Sequence, residues 1–483
     1  MDQNLKQKSI NAFGWKLAQS LCTLGTSFVI QIILARLLLP EDFGIVAITT
    51  VFMTLANTII ETGFSSSVIQ NAKLNQKQLS SVFFANLALS FLIYLLLFLI
   101  APIVSSFYSE PILTPILRVQ GLRVLFSALY TVQAALLNRR MEFKKIFISY
   151  FIGAVVQGVM GIGMAMLGFG VWALVFSTII NYAVAGIIIM FLSKWWPSLF
   201  FSYNMVKSAL SFGSKVLLVD IIQKVFYNIR SLAMGKVYSA DVLGLFNKGF
   251  QFPSTAMTVV DGSFIAVAFT SLSKLQHDLK KLLSALRSYI QIMTYLTMPI
   301  MLGMFMVATP MVKVLLTNKW MESVPYLQII CIIYIFKPLL VKSQAFNAIG
   351  RSDISMKLNT AGIGLSIVLI LASMMFSPYV MIMSEMVSTI ALHVGFAIAS
   401  KKYFSYSYAE QIADFCSPII PSAGMCVVIY LVSLLKMPDV LSLFVEVVVG
   451  ILIYFVISKV TRNKCFDMLM GFVREKLRRS QTI

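Results

Sequence analysis

Charged side chains inside long apolar stretches are the main chemical clue in this sequence of 483 residues, because a charge within a bilayer is costly unless it faces a cavity or a partner. The densest set lies in one short segment and comprises Lys215, Asp220, Lys224, Tyr227, Asn228 and Arg230. A helix turns about 100° per residue, so four of these side chains fall within an arc of roughly 100°: Asp220, Lys224, Tyr227 and Asn228. This spacing predicts a polar stripe on one helix face.

A second polar stripe is expected near the start of the chain. Residues at four-residue spacing wind slowly around one side of the first apolar helix: Trp15, Gln19, Thr23, Ser27 and Gln31. Other apolar stretches add further polar and charged positions: Asn57, Glu61, Arg118, Arg123, Lys248, Asp261, Lys337, Lys342, Glu385 and His393. Basic residues outnumber acidic ones in these stretches, which predicts an anionic head group as the ligand.

These positions divide into two expected roles. The cations that we expect to contact the anionic group are Lys215, Lys224, Arg230, Lys248 and Arg123. The uncharged polar residues that we expect to line the same cavity are Gln19, Thr23, Asn57, Tyr227 and Asn228. Because the polar helices are the first two of each half of the chain, we predict a lumen lined by helices one, two, seven and eight.

Structural explanations compete with these roles. Lys215, Arg36 and Arg230 lie near predicted helix ends and would equally extend to the membrane interface. Asp220 and Lys224, four residues apart, would satisfy each other without a ligand. Polar side chains in the first helix would equally serve as packing contacts between helices.

Catalytic and metal-binding signatures are absent from the sequence. It has no GxxxxGK[ST], HExxH or nucleophile elbow, so we expect neither an enzyme activity nor a cofactor. The five cysteines are scattered without a CxxC pair, and His393 has no cluster of neighbouring ligands. We therefore expect no metal site.

The elements that must position these residues are membrane helices. A hydrophobic content of 59% and a mean hydropathy of +0.86 exclude a soluble globular protein. Apolar runs of about 20 residues predict an all-α membrane protein with about 14 transmembrane helices. Their expected bounds are 15–38, 43–66, 80–104, 113–137, 145–168, 170–192, 208–232, 241–270, 286–310, 323–347, 354–376, 379–400, 411–434 and 439–459.

Basic residues alternate between successive connections, as expected if they gather on the cytoplasmic side. Basic clusters such as 139–145 and 274–287 fall on one side, whereas opposite connections such as 40–43 and 168–170 are short and poor in basic residues. This alternation predicts that both termini are cytoplasmic. It also accounts for the net charge of +20 as a topology signal, so nucleic acid is not an expected partner.

An internal repeat divides the sequence. Phe13-Gly14-Trp15-Lys16 matches Phe212-Gly213-Ser214-Lys215, and each is followed by an apolar run, a basic residue and Phe43-Gly44 or Leu243-Gly244. Six helices per unit, an even number, predict two parallel lobes around a central cavity. The predicted domains are an N-terminal six-helix lobe at 1–200, a C-terminal six-helix lobe at 201–408, helices 13 and 14 at 409–460, and a basic cytoplasmic tail at 461–483.

Three segments carry a family resemblance: ARLLLPEDFG at 35–44, LNRRMEFK at 137–144 and GKVYSADVLGLF at 235–246. With them the chain resembles the Wzx-type O-antigen and exopolysaccharide flippases of the multidrug/oligosaccharidyl-lipid/polysaccharide exporter superfamily. The resemblance extends over essentially the whole chain, including the helix count and the terminal pair of helices.

The resemblance implies alternating access in the bacterial cytoplasmic (inner) membrane. An undecaprenyl-diphosphate-linked oligosaccharide would move from the inner to the outer leaflet, for O-antigen, capsule or exopolysaccharide synthesis. The implied partners are this lipid-linked substrate, membrane lipids, a polysaccharide polymerase and a chain-length regulator, with the chain itself a monomer. Ion coupling in the family implies carboxylates that carry protons or sodium, and those available are Glu61, Asp220, Asp261 and Glu385.

Two other functions stay open. An ion-coupled multidrug or metabolite antiporter would use the same fold, but a cationic substrate would require an acidic lumen. A non-transporting scaffold of a glycan synthesis complex would hold Asp220 and Lys224 in dry packing. The role of Lys337 is also open: it precedes Pro338, which removes a backbone donor and is expected to kink the tenth helix.

Overall fold

The structure, a computed structural model, describes residues 3–70, 75–468 and 470. Within these residues the chain forms seventeen α-helices and two short 3-10 helices, with no β-strand, which confirms the predicted all-α class. Ten helical stretches of the described chain are long and apolar enough to cross a membrane. The total of fourteen crossings stays a prediction.

Four predicted crossings are not among those ten, and they are helices with polar stripes or buried charges: α1 (Gln3–Leu37), α4 (Leu113–Arg139), α7 (Tyr203–Val237) and α8 (Ala240–Lys274). The apolar part of α1, Cys22–Leu37, is shorter than a membrane span. Helix α4 is described over all 27 residues, more than the roughly 20 that a bilayer core requires. Its charged residues Arg118, Arg123 and Arg139 weaken its apolar signal.

The chain divides into two compact units, Met1–Gly244 and Leu245–Ile483; the domain boundaries given above stay predictions. The first unit also contains α2 (Pro40–Gln70), α3 (Gln76–Tyr108), α5 (Phe143–Met166) and α6 (Val171–Ser193). Helix α2 packs against α4 and α7, and α4 packs against α3 and α6. Side chains of α2, α4, α6 and α7 are thereby brought within reach of one another.

The repeated glycines Gly44 and Gly244 mark a close crossing of backbones. A Cβ atom on Gly44 would collide with the carbonyl of Ala240, and one on Gly244 would collide with the carbonyl of Pro40. Only glycine permits this approach, because neither obstructing group is a flexible side chain. The repeat found in the sequence therefore has a packing role where α2 and α8 begin.

The second unit contains most of α8 and nine further α-helices: α9 (Leu279–Met306), α10 (Ala308–Leu315), α11 (Val324–Ile335), α12 (Val341–Ala348), α13 (Ser352–Ser373), α14 (Pro378–Phe404), α15 (Tyr408–Cys416), α16 (Ile419–Ser433) and α17 (Asp439–Val460). The two 3-10 helices, Asn318–Ser323 and Lys337–Leu340, lie on either side of α11. The expected kink at Pro338 is confirmed, because α11 ends at Ile335 and regular helix resumes only at Val341.

Two further predicted spans are interrupted in the second unit. The span expected at 286–310 is divided at Val307 into α9 and α10, and Pro310 lacks the amide that would have bonded Met306. The span expected at 411–434 is divided between α15 and α16 beside Pro418. The sequence did not predict these two divisions, which lie close to prolines that each remove a donor from the helical ladder. The predicted spans themselves overlap the membrane-spanning stretches Leu279–Met306 and Tyr408–Ser433.

A polar network, here called the latch, fastens α15 to α9. Arg287 donates from Nε to Asp414 Oδ2 at 2.7 Å and from Nη1 to Glu410 Oε1 at 2.6 Å. The Tyr406 hydroxyl and the Gln291 amide also donate to the Asp414 carboxylate, whose side chain is only 3% exposed. Burial and the hydrogen bond to Asp414 raise the pKa of Tyr406 above its ordinary value.

Candidate functional site

A polar cluster lies inside the first unit, here called the Glu61 cluster: Asn57, Glu61, Arg123, Tyr182 and Lys224. The Asn57 amide donates to the Tyr182 hydroxyl at 3.4 Å. The Arg123 guanidinium lies 4.8 Å from the centre of the Tyr182 ring, within the range of a cation–π contact. Helices α2, α4 and α6 therefore meet at one polar point.

The carboxylate of Glu61 is the electrostatic centre of this cluster. It lies within electrostatic reach of both Arg123 and Lys224, and the hydroxyl groups of Tyr130 and Tyr150 are close enough to interact with it. Two cations and one carboxylate give these five residues one net positive charge, and Asp220 lies one helical turn before Lys224 on α7. An anionic group would complete the neutralisation.

Several buried side-chain atoms in and beside the cluster have no hydrogen-bond partner among the described residues. Arg123 is 8% exposed, and its Nε atom has no hydrogen-bond partner among the described residues. The same holds for Asn57 Oδ1 and for both polar side-chain atoms of Gln120, one helical turn before Arg123. Buried groups of this kind cost about 1–3 kcal/mol each when unsatisfied, so this region favours a polar ligand or ordered water.

The residues of the polar stripe predicted on α7 differ in how far their side chains are exposed. Lys224 is exposed and Tyr227 is 69% exposed, whereas Asp220, Asn228 and Arg230 are half-buried. The Asn228 amide donates to the carbonyl of Lys224 at 2.8 Å, so it bonds its own helix. Lys215 lies in α7, but its side chain is outside the described part of the structure.

Two predicted cavity residues lie on α1. Gln19 and Thr23 are both half-buried, and Gln19 Oε1 has no hydrogen-bond partner within the described chain. Gln120, by contrast, was not predicted, although its spacing from Arg123 places both residues on one face of α4. That spacing is the signal that would have identified it.

The second unit holds the remaining predicted residues. Lys248 is 3% exposed; its Nζ donates to Gln251 at 3.1 Å and lies 5.9 Å from the centre of the Trp320 ring. Asp261 pairs with Lys337 at 3.3 Å, so an ammonium already neutralises it. Glu385 is half-buried on α14. Within this unit these predicted residues lie on α8 and α14 rather than in one short segment.

Comparisons with known proteins give a family and a fold. The family described as "Polysaccharide biosynthesis protein" matches residues 33–325, a range that includes the whole Glu61 cluster. The chain is 22% identical over 453 residues to the lipopolysaccharide biosynthesis protein WzxC of Escherichia coli (strain K12), covering 88% of each chain. It is 26% identical over 319 residues to the succinoglycan biosynthesis transport protein ExoT of Rhizobium meliloti (strain 1021), covering 66% of this chain and 65% of that one.

Among solved structures, the chain resembles the lipid II flippase MurJ in an inward closed conformation. The TM-score is 0.73 at 15% sequence identity, over 94% of this chain and 98% of that chain. At this identity the likeness is evidence of the fold alone. It agrees with the membrane-helix architecture predicted from the sequence.

Proposed function

Because the chain belongs to the family of polysaccharide biosynthesis proteins, we propose that it moves undecaprenyl-diphosphate-linked oligosaccharides from the inner to the outer leaflet of the bacterial cytoplasmic membrane by alternating access. The resemblance to Wzx-type flippases predicted from the sequence is confirmed by the family match and by the similarity to WzxC and ExoT. The glycan would serve O-antigen, capsule or exopolysaccharide synthesis.

The excess positive charge of the Glu61 cluster carries this proposal. A diphosphate crossing a low-dielectric core requires charge compensation, and a charge-assisted hydrogen bond to a phosphate oxygen is the strongest that a protein side chain offers. Arg123 has an Nε donor without a partner in the described chain, and Lys224 is exposed. These two are the contacts on which the proposal depends most.

The other proposed contacts differ in the support they have. Arg230 is half-buried on the same helix as Lys224, and Lys215 is proposed from the sequence alone. Lys248 is buried between Gln251 and Trp320, so it would reach a phosphate only after leaving these contacts. The polar lining is proposed to be Gln19, Thr23, Asn57, Tyr227 and Asn228.

Ion coupling is proposed to involve Glu61 first among Glu61, Asp220, Asp261 and Glu385. Its interaction with Arg123 and Lys224 would make its charge state sensitive to whether a phosphate occupies these cations. Asp261 is a weaker choice because Lys337 already supplies its counter-charge. Cytoplasmic termini, a monomeric state, and a polymerase and chain-length regulator as partners belong to the same proposal.

The test is a transport assay with a matched pair of variants. Lys224→Ala removes the proposed phosphate contact, whereas Lys236→Ala removes the same residue type from the last turn of the same helix, where Lys236 donates to the Phe107 carbonyl. Loss of a hydrogen bond to a charged group costs about 1.5–3 kcal/mol. We therefore expect Lys224→Ala to slow export at least about tenfold, at 1.4 kcal/mol per tenfold change.

Export would be measured in cells that lack the native protein, as lipid-linked oligosaccharide retained on the cytoplasmic leaflet. Membrane levels of each variant would be compared by immunoblot. Equal export by the Lys224→Ala and Lys236→Ala variants, at equal membrane levels, would refute the proposed contact. Absence of retained lipid-linked oligosaccharide in cells without the protein would refute the proposed function itself.

A further inference from the structure

A small polar cavity lies inside the second unit where the tenth predicted span is interrupted. Its volume is about 220 Å³. Five polar side chains from α8, the interrupted segment, α12 and α13 line it: Asp261, Lys337, Ser343, Gln344 and Asn359. None of the roles assigned above uses Lys337, Ser343, Gln344 or Asn359.

The charges at this cavity cancel. Lys337 Nζ lies 3.3 Å from Asp261 Oδ2, and the two side chains are 32% and 20% exposed. The same ammonium lies 4.5 Å from the centre of the Tyr334 ring, a second favourable contact for a cation. A bound anion would be repelled by the carboxylate and a bound cation by the ammonium, so the pair favours a ligand without net charge.

The remaining polar groups offer several donors and acceptors at close range. The Gln344 amide can both donate and accept, and Asn359 and Ser343, which already bond Ser355, keep capacity to accept. The ion pair adds a strong donor and a strong acceptor. Met293 and Leu340 contribute apolar wall to the same cavity. A ligand that fits carries many hydroxyl groups and also has an apolar C–H face, which is the chemistry of a pyranose ring.

The cavity wall is held in place before any ligand binds. The Asn359 amide donates to the Ser355 carbonyl at 2.8 Å, and the hydroxyls of Ser343 and Ser355 lie 2.7 Å apart. Pro338 has no amide hydrogen to donate into the helical ladder, and α11 ends at Ile335. Interrupted helices of this kind in membrane transporters occur where the backbone borders a cavity.

We propose that this cavity binds one neutral monosaccharide unit of the glycan, through Gln344, Asn359, Ser343 and the Asp261–Lys337 pair. The inference rests on the proposed function, since it assigns a sugar subsite to the transported substrate. At roughly 30 Å³ per water molecule, the cavity corresponds to about seven waters. One pyranose ring is of that size, and a whole oligosaccharide is not.

The test uses the full chain in lipid nanodiscs and ligand-observed saturation-transfer NMR. The probes are free glucose and galactose as neutral hexoses, galacturonate as an anionic sugar and galactosamine as a cationic one. The wild-type protein is expected to bind at least one neutral hexose, and more strongly than either charged sugar. Gln344→Leu and Asn359→Leu, which keep side-chain size, are expected to weaken that binding at least tenfold.

Charge variants make the test independent of any general loss of fold. Asp261→Asn leaves Lys337 unbalanced and is expected to shift the preference toward galacturonate, whereas Lys337→Gln is expected to shift it toward galactosamine. Asp439→Asn is the matched control, because it removes another ion pair of the same unit, Lys313–Asp439 at 2.8 Å, away from the cavity. It is expected to change none of the preferences.

Three results would overturn the inference: no neutral hexose binds, the leucine variants bind as well as wild type, or the charge variants leave the preferences unchanged. Transport of lipid-linked oligosaccharide would be assayed on the same preparation in proteoliposomes. Transport without hexose binding would refute the sugar subsite and leave the proposed function standing. Hexose binding without transport would refute the proposed function; the cavity would remain a site for a neutral sugar, but its assignment to a transported glycan would be refuted.

Discussion

Removal of the Asp414 carboxylate is expected to destabilise the second unit strongly. Asp414 accepts hydrogen bonds from Arg287, Gln291 and Tyr406, and its side chain is 3% exposed. The Asp414→Ala variant would leave Arg287 with only Glu410 as a counter-charge, and two neutral donors would lose their acceptor. The polar attachment of α15 to α9 would then depend on the Arg287–Glu410 pair, while the Tyr454 hydroxyl of α17 would still donate to the Tyr295 carbonyl of α9.

The size of the effect follows from burial. Breaking a buried ion pair by removing one partner costs about 3–5 kcal/mol. The Arg287 side chain is 33% exposed, so water compensates part of its charge and the lower end, about 3 kcal/mol, is the better expectation. Asp414→Asn keeps an acceptor for Tyr406 or Gln291, and we expect it to lose about half as much.

The assay is thermal unfolding of the purified protein in detergent, with Asp439→Ala as the control. Asp439 pairs with Lys313 at 2.8 Å, but both side chains are more than 40% exposed, and exposed pairs contribute about 0–1 kcal/mol. Asp414→Ala should therefore lower the midpoint several times more than Asp439→Ala. Equal shifts for the two variants would refute the reasoning that burial makes the latch strong.

Two further predictions concern packing and pH. Gly44→Ala places a Cβ atom against the Ala240 carbonyl, whereas Gly163→Ala has no atom within 4 Å of the new Cβ. We expect Gly44→Ala to reduce the free energy of unfolding by about 1–3 kcal/mol and Gly163→Ala to leave it unchanged or raise it. Thermal unfolding of the two variants measures the difference. The raised pKa of Tyr406 means that its contribution is complete below the ordinary tyrosine pKa of 10.0 and is lost as pH rises above that value. Stability should fall above this pH in wild type and less steeply in Tyr406→Phe, and parallel pH curves would contradict this assignment.

The sequence identified the helices because apolar runs report on the bilayer directly. It also predicted the break at Pro338, because a proline in the middle of an apolar run removes a backbone donor and interrupts a helix there. The divisions at Val307 and beside Pro418 were missed, because a single proline near a helix end is compatible with either a continuous or an interrupted span. Local sequence does not decide between these outcomes; packing does.

The site was predicted only in part, for a different physical reason. Intramembrane charge singled out Glu61, Arg123 and Lys224 one by one, because each is expensive in isolation. Their convergence with Tyr182 depends on contacts among α2, α4, α6 and α7, which no local pattern encodes. Asp261 and Lys337 were also noted separately in the sequence. Their pairing could not be predicted, because it depends on α8 and the interrupted segment lying side by side.

The latch also has a consequence for the order in which the chain is made. Arg287 precedes Asp414 by 127 residues, so at a synthesis rate of about 5–20 residues per second the arginine waits roughly 6–25 seconds for its principal partner. Arg287 belongs to the basic segment 274–287, which the charge pattern predicts to be cytoplasmic, so during that interval water compensates its charge and the contact that attaches α15 to α9 cannot form. Completion of the second unit is therefore a late event in biogenesis, and a nascent chain that stops before Tyr408 would lack the carboxylates that complete it.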